Sequence, residues 1–143
     1  MATRQDFSDE EWAALQRGLT GSGMLVSISD RDFTDSFGEA GALGKYLAGQ
    51  QVAGATDFIR EVAKTRGTGF GLTSSQDEVR NQTLESLRSS VALLQAKAPD
   101  EVEPYRALVI GVADAVANAK GGGTSEIEAA AIAQIREALG ASA

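Results

Sequence analysis

Four times along this chain a serine is followed three residues later by a glutamate, at Ser8/Glu11, Ser36/Glu39, Ser75/Glu78 and Ser125/Glu128. In each case an apolar periodic run comes next. A serine hydroxyl at such a position accepts from an orphan N–H of the first helical turn. The glutamate reaches back to the serine's own N–H and complements the helix dipole. At the first of these sites the stretch FSDEEW also puts Phe7 and Trp12 at the two hydrophobic-staple positions. A chain that announces helices this often has little room for another architecture.

The runs themselves have helical spacing. Leu84, Leu87, Val91 and Leu94 step by three and four, predicting a helix from about Gln76 to Lys97. Tyr105, Val109, Val112 and Val116 form a stripe between Pro99 and Lys120. Ile127, Ala131, Ile135 and Leu139 define a last helix that Gly140 stops. Earlier faces are Trp12, Leu15 and Leu19, then Phe37, Leu43 and Leu47, then Phe58, Ile59 and Val62. Alternating strand patterns and Asn-Gly or Asp-Gly hairpin signals are absent. The expected fold is all-α, a single domain of five to seven helices, with 143 residues enough for a substantial core.

Composition narrows the chemistry. With no cysteine and no histidine, thiol catalysis, disulfides, Ser-His-Asp triads and zinc sites of the Cys or His type are excluded. A metal would have to be held by oxygen, which favours Ca2+, Mg2+ or Mn2+. The net charge of -7 opposes nucleic-acid binding, which needs clustered Lys and Arg against the phosphates. No charged-then-apolar leader opens the sequence. ALVIGVADAVANA, the longest weakly polar run, is too short to span a bilayer and carries Asp114. The expected location is the cytoplasm, without direct membrane insertion.

Two glycine-rich stretches invite a nucleotide reading, and both resist it. NAKGGGTSEIEAA has Lys120 before its glycines and a helix before its loop, whereas a P-loop needs a strand first and the lysine after. RGTGFGLTSS is preceded by the helical FIREVAKTR, so Gly67 reads as a C-cap and the stretch as a linker near the middle of the chain. Gly38, Gly41 and Gly44 recur at every third position of a predicted helix. They mark either close approach of another helix or subunit, or a locally weak helix, since each costs about 1 kcal/mol relative to alanine.

The two loops SISDRDFTDSFGE and ANAKGGGTSEIE share a plan in which small residues end a helix, a polar loop follows, and S-x-x-E opens the next helix. This repeated plan resembles the TerB-like family of tellurite-resistance proteins, whose halves each carry a pattern close to A-x-A-D-G-x-(I/V)-S-x-x-E. Here the first half has Ser27-Ile-Ser29-Asp30 and then, after extra loop residues, Ser36 and Glu39. The second has Ala117-Asn-Ala119-Lys120, the glycines, Ser125 and Glu128. AAAIAQIREALG is similar to that family's last helix. The resemblance implies a helical domain over residues 8–140 after a tail at 1–7. Its pseudo-repeated halves would cover about 8–66 and 75–140, joined by a linker at 67–74.

The same resemblance implies a non-catalytic module of stress or metal-oxyanion resistance, docking on a protein partner that is often membrane-associated. It also implies that loop acids and helix-start glutamates face one another. Asp30, Asp32, Glu39 and Glu128 are then the candidate ligands of a divalent cation. Lys120 stands where the family has an acid, and its ammonium is an alternative counter-charge for the same cluster. The Asp30 loop is not an EF-hand, because Asp35 and Gly41 occupy the positions that need glycine and glutamate. Against this stands a bland reading, in which these acids only solvate a loop and cap helices. A second class, a metal-free interaction module or homodimer, would use the glycine-stepped helix or an apolar groove; a third, an enzyme, would need paired carboxylates or a lysine of lowered pKa. No carboxylate or lysine pair is singled out for catalysis.

Overall fold

A computed structural model of the chain describes residues 3–29, 36–65, 75–118 and 126–140. Among them are six α-helices and no strand: α1 Asp9–Ser29, α2 Ser36–Ala53, α3 Asp57–Val62, α4 Gln76–Lys97, α5 Val102–Ala117 and α6 Glu126–Ala138. Short 3₁₀ turns at Arg4–Asp6 and Pro99–Glu101 precede α1 and α5.

The first helix starts as its sequence predicts. Glu11 N–H donates to Ser8 Oγ at 3.1 Å, and Ser8 N–H donates to Glu11 Oε1 at 2.8 Å, closing the capping box. The Phe7 and Trp12 rings lie 5.9 Å apart, and Phe58 of α3 completes the cluster edge-on to Trp12. Phe7 is therefore part of the core, and the residues before α1 are anchored by it.

Helix α1 is the hub, packing against all five other helices. Its Leu15, Leu19 and Val26 are fully buried, each such side chain contributing roughly 1.5–3 kcal/mol. Close approach depends on two of its glycines. A methyl group on Gly18 would sit 2.8 Å from the Tyr105 hydroxyl, and one on Gly21 would collide with the Thr83 side chain of α4. The buried hydroxyls of Thr20 and Ser22 donate back to the carbonyls of Gln16 and Gly18, which lets α1 carry polar groups inside the fold. Tyr105 of α5, wholly buried, donates to the Leu15 carbonyl at 2.7 Å. Burial pushes its phenol well above the ordinary range, with a smaller opposing effect from the Ser90 hydroxyl.

The predicted stripes are largely the observed core. Leu87, Val91 and Leu94 of α4 and Tyr105, Val109, Val112 and Val116 of α5 are buried. Helix α4 runs from Gln76 to Lys97 as its periodicity requires. Gly140 has φ of +69°, the left-handed conformation that ends a helix. The Arg106 guanidinium of α5 donates to the Leu139 carbonyl beside it at 2.7 Å.

Two expectations are corrected. Helix α3 stops at Val62 instead of running on through FIREVAKTR. Its last carbonyls find acceptor roles elsewhere: Gln51 of α2 donates to Ala63 O at 3.2 Å and Gln16 of α1 to Val62 O at 3.5 Å. Gly67 and the linker at 67–74 lie outside the described residues. In α6, Ile127 does not join the core face but is 54% exposed. The rest of the predicted stripe, Ala131, Ile135 and Leu139, is buried, with Glu128 and Ile132 beside it and Glu128 taking the inward position at the start.

Candidate functional site

Each of the four S-x-x-E sites falls at or beside a helix start in the chain order, and the three glutamates whose side chains are described end in different surroundings. Glu78 is exposed, and Ser75 accepts from its N–H at 3.1 Å, an ordinary solvated cap. Glu11 is partly exposed and also accepts from Lys97 Nζ at 2.9 Å. Its carboxyl lies below the usual range, held down first by the Ser8 backbone N–H and then by the Lys97 side chain. Glu128, in the first turn of α6, is 1% exposed. It faces inward on a helix packed against α1, α4 and α5, and it is not without an interaction partner.

Of the other expected ligands, Glu39 falls in the first half of α2, but its side chain lies outside what the structure describes. Asp30 and Asp32 lie outside the described residues, as do Lys120 and Ser125. The chain order still places these loops between helices: residues 30–35 join α1 to α2, and residues 119–125 join α5 to α6. Among the described residues, no three acidic side chains converge as a metal site.

Sequence reasoning missed a second polar centre. Thr56 caps α3, accepting from Ile59 N–H at 3.1 Å, and its hydroxyl donates to Glu101 Oε2 at 2.8 Å. Glu101, 7% exposed, is thereby tied across 45 residues of sequence. The pair borders an open cleft of about 800 Å³ whose wall also includes Asp6, Arg60, Lys97 and Asp100. Arg60 donates to the Gly54 carbonyl at 2.8 Å and pairs with Asp57, while Lys97 reaches Glu11 and the Asp6 carbonyl. The Thr56–Glu101 bond holds the start of α3 against the α4–α5 connection, while Arg60 and Lys97 are each engaged by other groups of the chain. A threonine and a glutamate so far apart carry no spacing signal that would have revealed them.

A third feature joins α2 to α5. The half-buried Tyr46 hydroxyl rests where Gly111 has no side chain, and a Cβ at Gly111 would overlap it. Burial, and secondarily the charge of Asp114, push the Tyr46 phenol above its ordinary value. By contrast, Gly44 and Gly49 of α2 face open space, and Val52 is 82% exposed. Among the described residues, Gly44 serves no close helix approach.

No helix among the described residues is long and apolar enough to cross a membrane. No known protein family, curated protein or solved structure matches the chain. The TerB-like resemblance accordingly rests on the motifs quoted from the sequence.

Proposed function

We propose that this chain is a non-catalytic helical module, TerB-like in plan, that holds a divalent cation weakly between its two helix–loop–helix junctions. Its role in the cell is then docking on a protein partner in a cytoplasmic stress or metal-oxyanion response. The observation that carries this reading is the burial of Glu128. A glutamate at a helix start serves the helix dipole from the surface, as the exposed Glu78 does. Taking a carboxylate out of water is costly unless a cation, hydrogen-bond donors or a proton compensate it, and a cation at the neighbouring junction would add to the interaction that Glu128 already makes within the chain. Glu128 lies within one turn of the 119–125 loop, where the motif places its cation, and Asp30, Asp32 and Glu39 are its partners in that arrangement. Ca2+, Mg2+ and Mn2+ are the ions such an oxygen set would take. Calorimetric titration of metal-stripped protein with each ion tests the reading. Heat of binding that is saturable, and abolished in Glu128→Gln, supports it; no binding by any of the three ions removes it.

The open face of α2 favours a second reading, a metal-free interaction or homo-oligomeric module. Gly44, Gly49 and Val52, with exposed Lys45 beside them, present a small surface that no described residue covers. Light scattering on the eluting protein separates the two: a stable dimer dispersed by Val52→Lys supports this face as the contact, and a monomer at all concentrations argues against self-association.

A further inference from the structure

We draw no further inference here: the strongest candidate, the open cleft between the start of α3 and the α4–α5 connection, carries nothing because its Thr56, Arg60, Lys97 and Glu101 side chains are already bonded within the chain and no bound group or unpartnered buried side chain among the described residues marks a ligand there.

Discussion

The starts of α1 and α6 follow one four-residue pattern and lead to opposite outcomes. At α1 the capping box closes at the surface, with Glu11 shared between the Ser8 N–H and Lys97. At α6 the corresponding Glu128 is inside the fold, and the apolar Ile127 next to it faces out. The pattern fixes where a helix begins, because capping is a matter between neighbours in sequence. Which way the first turn faces is decided by the elements packed against it.

The sharpest way to break this contrast is to remove each glutamate. Glu128→Ala removes a fully buried side chain and leaves a gap, and is expected to destabilise by about 3 kcal/mol in urea unfolding. Glu11→Ala should move the midpoint far less. Similar losses for the two would mean that Glu128 is only another cap. Thr56→Ala tests a start of intermediate kind, half local and half tied to Glu101. It should cost about 2 kcal/mol, combining a lost cap with a buried carboxylate left without its donor. Replacing Glu101 by Gln should rescue part of that loss.

Smaller effects sharpen the local side. Ser8→Ala removes one cap bond at the surface and should cost about 1 kcal/mol, with unfolding cooperativity unchanged. On α2 the sign reverses. Gly44→Ala meets no neighbour, so helix propensity alone acts and stability should rise by about 0.7 kcal/mol. Gly21→Ala, pressed against Thr83, should instead destabilise. The last test is pH dependence. The Glu11 carboxyl is depressed below its ordinary 4.5, so its contribution is present above that value and is lost as pH falls through the folded value. The stability curves of the wild type and Glu11→Gln should differ at neutral pH and converge in acid below 4.5.

The same division explains what was legible beforehand. The bounds of α4, the cap at Ser8, the stop at Gly140 and the stripes through Leu87 and Val112 depend on neighbours three or four residues away, and periodicity displays them. The end of α3 at Val62 depends on Gln16 and Gln51 reaching in from other helices. The tie between Thr56 and Glu101 spans separate elements, and so does the seat of Tyr46 on Gly111. None of these leaves a mark at short spacing. For the proposed cation site, the TerB-like resemblance implied Asp30, Asp32, Glu39 and Glu128; the sequence had no means of showing that Glu128 would be buried while Glu78, at the same S-x-x-E spacing, stayed in solvent.

The most direct test of the cation reading is the thermal melt of metal-stripped protein with and without Ca2+, Mg2+ and Mn2+. An ion bound only by the folded state adds about 2.7 kcal/mol at a hundredfold excess over its dissociation constant. The account predicts a saturable rise in melting temperature with at least one ion, lost in the Asp30→Asn, Asp32→Asn double variant and in Glu128→Gln. A melting temperature indifferent to all three ions, or a rise that survives Glu128→Gln, would contradict it.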